Sequence, residues 1–199
     1  MKRDIILAGV GGQGVLSIAA IIAQAAVSAG LAVRQSEVHG MAQRGGAVLA
    51  HLRIADKPIA SDLVPQGGAD LIIAMEPLES LRYAAWLSPK GVLVTALEPF
   101  INIPDYPAIE SITGVIQRFP QYRLVDAASL AKKAGHSRTV NMVMVGAASP
   151  FLPIPAETIE STITAMFAAK APDIAAANSK AFHLGRETAE ENTGTGATK

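Results

Sequence analysis

Asp4-Ile5-Ile6-Leu7-Ala8-Gly9-Val10-Gly11-Gly12-Gln13-Gly14 runs straight into the apolar segment from Val15 to Ala29. An apolar run of strand length, a glycine turn and an apolar run of helix length, in that order, make the first half of a nucleotide-binding α/β unit. Glycine tolerates positive φ and lets a phosphate or another backbone approach without a Cβ in the way. The helix after the turn presents unpaired N–H groups and the positive end of its dipole, which suits an anion. The alternative is that the glycines only allow close strand-to-helix packing, and the motif alone leaves both readings open.

The pattern continues outward from that unit. Leu31 to Ser36 reads as a second strand ending at Glu37, and Glu37 to Gly46 as a polar, glycine-rich surface loop. Ala47 to Ile54 partly alternates and a turn at Ala55-Asp56-Lys57 leads to Pro58-Ile59-Ala60-Ser61, which predicts a β-hairpin inserted after the second strand. Asp70 to Met75 and Gly91 to Ala96 are continuous apolar runs, as expected of strands covered on both faces, with a helix over Glu76 to Leu87 between them. Prolines mark Pro99 to Pro120 as irregular, with a short helix at Ile109 to Phe119. Tyr122 to Asp126 is a last strand. Helices then follow at Ala127 to Ala134, Arg138 to Ala148, Ala156 to about Ala169 and Asp173 to about Glu190. The reading is α/β: a Rossmann-like, mostly parallel sheet with helices on both faces. Residues 1–190 are read as one domain, with 191–199 a disordered tail.

Composition limits the function. The 199 residues are 50% hydrophobic and 17% charged with zero formal net charge, so no global field attracts nucleic acid or an anionic membrane. Aromatics make up 5%, too few for a base-stacking surface. The chain contains no cysteine, which excludes disulfides, thiolate nucleophiles and cysteine-ligated iron–sulfur clusters within it. Met-Lys-Arg passes directly into a strand pattern, and the expected location is cytoplasmic.

In a doubly wound sheet, ligands bind beyond the carboxyl ends of the strands, so Gly9–Gly14, Glu37–Gly46 and Met75-Glu76 should converge there. Glu37 lies about 20 positions past the glycines, where a dinucleotide fingerprint places its ribose-binding acid. The donor-rich run Val38 to Gly46 is foreign to that fingerprint; it could hold an anion, bond a partner chain, or cap its own backbone. His51, His136 and His183 lack ligand spacing, so no metal site is expected. Arg53 reads as a solvated strand residue, and Asn141 as either a satisfied core amide or a group reaching the cleft. Ser17 has no nucleophile elbow and no Walker lysine is present, which argues against hydrolase and P-loop chemistry.

Taken together, Gly-Val-Gly-Gly-Gln-Gly-Val at 9–15, Ser-Glu-Val-His-Gly-Met-Ala-Gln-Arg-Gly-Gly at 36–46, Ala-Asp-Leu at 69–71, Glu-Pro-Leu-Glu at 76–79 and Asn-Met-Val at 141–143 carry a resemblance. They resemble the gamma-type subunits of 2-oxoacid:ferredoxin oxidoreductases, in particular the small beta subunits of the indolepyruvate-specific branch, from Asp4 to about Glu187. The resemblance implies that an aryl 2-oxoacid, coenzyme A and oxidised ferredoxin give acyl-CoA, CO₂ and reduced ferredoxin. It also implies that thiamine diphosphate and iron–sulfur clusters sit on a large alpha-type partner. This chain would be inactive alone, closing the active site and sharing coenzyme A. Its implied cofactor-binding residues are Gly9, Gly11, Gly12, Gln13, Gly14, Glu37, His39, Gln43, Arg44 and Gly45, with no catalytic residue and no metal ligand. Two alternatives stand beside it: a self-contained NAD(P)-binding oxidoreductase using Glu37, and a purely structural interface module.

Overall fold

The computed structural model describes residues 1–39, 45–168 and 172–191. Its strands are β1 (Lys2–Val10), β2 (Ala32–His39), β3 (Ala47–Ala55), β4 (Ala69–Ala74), β5 (Leu87–Ala96) and β6 (Tyr122–Val125). Its α-helices are α1 (Val15–Ser28), α2 (Pro77–Arg82), α3 (Ile109–Ile116), α4 (Ala127–Ala134), α5 (Val140–Ala148), α6 (Ala156–Phe167) and α7 (Pro172–Glu191). The strands form one sheet in the order β2-β3-β1-β4-β5-β6, with β1, β4, β5 and β6 mutually parallel.

The sheet divides the core by strand periodicity. Ile5 and Leu7 of β1, with Leu71 and Ile73 of β4, pack under α1 and α4 to α7. Ile6, Ile72 and Leu93 face the other way, toward Ile112 and Ile116 of α3 and Leu78 and Leu81 of α2. These strands are covered on both faces, which is why their sequences read as unbroken apolar runs.

The antiparallel departure lies where the sequence placed it, but with a different partner. β3 pairs antiparallel with both β1 and β2, from Val10↔Ala47 to Lys2↔Ala55 and from His39↔Val48 to Ala32↔Ala55. Both edges of β3 are therefore used, and Pro58–Ser61 forms no strand against it. That segment is held by arginines instead: Arg34 Nε donates to Ile59 O at 3.3 Å, and Arg53 Nη1 to Ser61 O at 2.9 Å and Leu63 O at 3.1 Å. Arg53 is consequently not a solvated strand residue, because its Nε also meets buried Asp4 at 2.8 Å. Burial opposes ionisation of Asp4, but bonds and charge from Arg53 and Lys2 overcome it and hold the carboxyl below the usual range.

Further boundaries differ by a few residues. β2 continues through His39, so Glu37 is strand rather than loop, and the helix expected to Leu87 ends at Arg82. The predicted tail lies, after Glu191, outside the described residues.

One packing feature positions the site. α5 and α7 cross so closely that a Cβ on Gly146 would lie 2.0 Å from Phe182 O, and one on Gly185 2.0 Å from Val143 O. Only glycine permits that approach. It seats α5 with its N-terminus, and hence Asn141, against the turn that precedes α1.

Candidate functional site

The parallel strands β1 and β4 end side by side, and hydrogen bonds join the glycine turn to the residue after β4 and to the two residues before β3. Gln13 Oε1 accepts from Val10 N at 2.8 Å, while its Nε2 donates to Met75 O at 3.2 Å. On the other side Gly11 N donates to Gly46 O at 2.8 Å, and Gly45 N to Gly11 O at 3.3 Å. The convergence expected from topology is thus present for Gly9–Gly14, Gly45-Gly46 and Met75. Gln13 spends its side-chain amide on holding the turn rather than pointing it outward.

The glycines of the turn do different things. A Cβ on Gly9 would meet Val15 Cγ2 at 2.7 Å, so this position answers to packing. Gly12 and Gly14 have φ of 102° and 81°, the left-handed region that favours glycine. At Gly14 a Cβ would also fall 2.2 Å from Asn141 Nδ2, whose amide donates to Gly14 O at 3.3 Å. Asn141 therefore reaches the turn, resolving the choice between core amide and cleft group in favour of the cleft.

Beside the turn lies an open cleft of about 400 Å³, lined by Gly12, Gly14, Met75, Glu98, Arg138 and Asn141 among others. The N-terminus of α1 opens onto it. Its cap residue Gly14 offers no side chain to the first N–H groups, and the first turn carries no acid. The positive end of this helix is left for something else to satisfy. Arg138 adds a permanent positive charge to the same cleft.

The cleft also meets the start of α4, at Glu98 and Ala128. Glu98 follows β5 and accepts from Ala128 N at 2.7 Å, and Asp126 follows β6 and accepts from Ser129 N at 3.0 Å. Both carboxyls thus hold the start of α4. Burial, with the neighbouring Asp126, pushes the Glu98 carboxyl above the ordinary range, while the Ser129 N–H holds Asp126 below it.

Glu37 sits on β2, and β3 lies between β2 and β1, so its strand is not beside the glycine turn as a dinucleotide site requires. Its side chain is exposed and is not among the groups lining the cleft. His39 ends β2, and Gln43 and Arg44 lie outside the described residues. Sequence reading missed Glu98 and Arg138. Glu98 lies two residues past a buried strand, so the carboxyl-end rule applied to β5 as well as β1 and β4 would have found it. Arg138 lies in the short 3₁₀ turn Ser137–Thr139, where the sequence pattern suggests the start of an apolar helix.

The remaining candidates have structural partners. His51 is buried and its Nδ1 accepts from Val64 N at 3.1 Å, with burial lowering its pKa. His183 bonds Glu160 at 2.8 Å, linking α7 to α6. Ser17 lines a neighbouring cavity of about 580 Å³, which shares Arg138 and Asn141 with the cleft. No cluster of metal-ligating side chains occurs among the described residues. No helix among them is long and apolar enough to cross a membrane.

Comparison with known proteins matches residues 4–188 to the pyruvate ferredoxin/flavodoxin oxidoreductase family. The chain is 37% identical over 200 residues to indolepyruvate oxidoreductase subunit IorB of Pyrococcus horikoshii, covering 96% of this chain and 97% of that one. It is 28% identical over 188 residues to ketoisovalerate oxidoreductase subunit VorA of Methanothermobacter thermautotrophicus, covering 94% of this chain but 36% of VorA. Among solved structures, the fold matches 2-oxoglutarate:ferredoxin oxidoreductase from Magnetococcus marinus, solved with 2-oxoglutarate, coenzyme A and succinyl-CoA bound. The TM-score is 0.77 at 22% identity, over 96% of this chain and 32% of that chain.

Proposed function

The chain belongs to the pyruvate ferredoxin/flavodoxin oxidoreductase family, and from that premise we propose that it is the small subunit of an indolepyruvate, or aryl 2-oxoacid, ferredoxin oxidoreductase. In that reaction the bond between the carbonyl carbon and the carboxylate breaks, CO₂ leaves, and the acyl group joins the thiol of coenzyme A. The thiol proton is released and two electrons pass to ferredoxin. Thiamine diphosphate and iron–sulfur clusters supply the carbanion and electron chemistry when bound. A chain without cysteine cannot ligate such clusters through thiolates, so they belong on a larger partner subunit.

The role proposed for this chain is to close the partner's active site and hold coenzyme A. The observation that carries it is the cleft: a helix N-terminus without a side-chain cap and Arg138 line one opening. That donor set fits the phosphates of coenzyme A, which are anionic and rich in acceptors. His39, at the end of β2, and Arg44, outside the described residues, are further candidates for anion contacts.

The test is steady-state kinetics of the complex reconstituted with its partner. Arg138→Ala is expected to raise KM for coenzyme A about tenfold, with kcat little changed. An unchanged KM would remove the coenzyme A role. Weakened assembly with an unchanged KM would favour a purely structural subunit.

A further inference from the structure

Pro99-Phe100-Ile101-Asn102-Ile103-Pro104 follows Glu98 without a single charged side chain, and all six residues are exposed. Phe100 is 41%, Ile101 71% and Ile103 42% exposed. Single exposed apolar residues such as Val27 and Val115 are ordinary, but three within four consecutive positions make a ridge.

The ridge is held in place. Buried Glu76, at the end of β4, accepts from Phe100 N at 3.3 Å and from the Tyr106 hydroxyl with the same oxygen. Asn102 Nδ2 donates to Gly45 O at 2.8 Å, which ties the ridge to the glycine turn through Gly45 and Gly11. Pro99 and Pro104 further restrict the backbone. A segment ordered in this way loses little conformational entropy when something docks on it. A large aromatic and two isoleucines are suitable anchors for an apolar interface.

The relatives indicate the occupant. In VorA the matched region is 36% of a longer oxidoreductase chain, whereas in IorB it takes in 97% of a protein named as a subunit. The same fold is thus used both tethered and separate, and the separate form needs a noncovalent face toward the rest of the enzyme. Because Glu98 lines the cleft and the ridge begins at the next residue, a partner seated on the ridge would also lie over the cleft mouth. Resting on the oxidoreductase reading above, we propose that Phe100, Ile101 and Ile103 are the anchors by which this chain docks onto an apolar surface of the larger oxidoreductase subunit.

The experiment measures the Kd between the full chain and the purified thiamine-diphosphate, iron–sulfur subunit of the same enzyme. It compares wild type, the double variant Phe100→Ser with Ile101→Asp, and Val115→Asp at an exposed position of α3. The double variant is expected to bind about tenfold more weakly or worse, with the chain's unfolding midpoint unchanged, while Val115→Asp binds as wild type. If the double variant lowers the midpoint, Ile101→Lys alone replaces it and the same loss is expected. Wild-type affinity in these variants would overturn the proposal. So would a homo-oligomer of the isolated chain that the double variant dissolves, since the occupant would then be a second copy. Absence of oxidoreductase activity in the wild-type complex would sink the functional reading but leave the Kd comparison standing.

Discussion

Helices α1, α2 and α4 begin at the carboxyl edge of the sheet, and they are treated differently. α2 starts under Glu76, whose Oε2 accepts from Glu79 N at 2.7 Å. α4 starts under Asp126 and Glu98, which take the Ser129 and Ala128 N–H groups. α1 starts at Gly14, with no side-chain cap and no acid in its first turn. The first two are sealed by carboxylates and answer to stability. The third has no such cap and opens on a cleft that the uncapped start of α5 also lines, an arrangement suited to an external anion.

The comparison is most sharply broken at Glu76. Glu76→Ala removes the cap of α2 and strands the Tyr106 hydroxyl and the Phe100 N–H, so a loss of about 3 kcal/mol is expected in denaturant unfolding. Burial and the Glu76 carboxylate push the Tyr106 hydroxyl above its ordinary pKa, as expected for a proton held in that bond. Gly14→Ala comes next, at about 2 kcal/mol from the left-handed backbone. It should also weaken binding of coenzyme A to the complex, because the new methyl displaces Asn141. A variant at Gly14 with wild-type stability would mean that the turn relaxes freely.

Asp126→Ala is the smaller counterpart on α4, with about 1 kcal/mol lost by the same measurement. The smallest effect is a pH dependence. Glu98 has a folded-state pKa above its unfolded value, so its contribution is full below the ordinary glutamate pKa and fades as pH rises through the folded one. Asp126 has the opposite sign, its contribution being lost as pH falls through its lowered value. Glu98→Gln should abolish the decline on the alkaline side of the glutamate range and leave the acid limb. Persistence of both limbs in Tm against pH would mean that another group carries the alkaline one.

Legibility followed the range of the interactions. The 127–134 helix appears with both predicted ends, because Asp126 caps one and Gly135, at φ 105°, closes the other. The hairpin failed at 58–61 because short alternating runs state a preference for pairing without naming a partner; β3 found β1 and β2. Arg53 and Asn141 were misjudged or left open for the same reason. The partners that define them, Asp4 and Gly14, lie 49 and 127 positions away.

The sequence by itself determined the α/β class, the glycine turn between β1 and α1, the family resemblance and the exclusion of thiolate chemistry. These come from local periodicity, from backbone freedom at glycine and from composition. Tertiary structure alone decided that β3 separates Glu37 from the glycine turn and that Glu98, Arg138 and Asn141 line one cleft with it. It alone decided that the uncapped start of α1 opens onto that cleft. The physical reason is that register, helix crossing and capping across the sheet depend on which distant groups meet, and no local pattern encodes that.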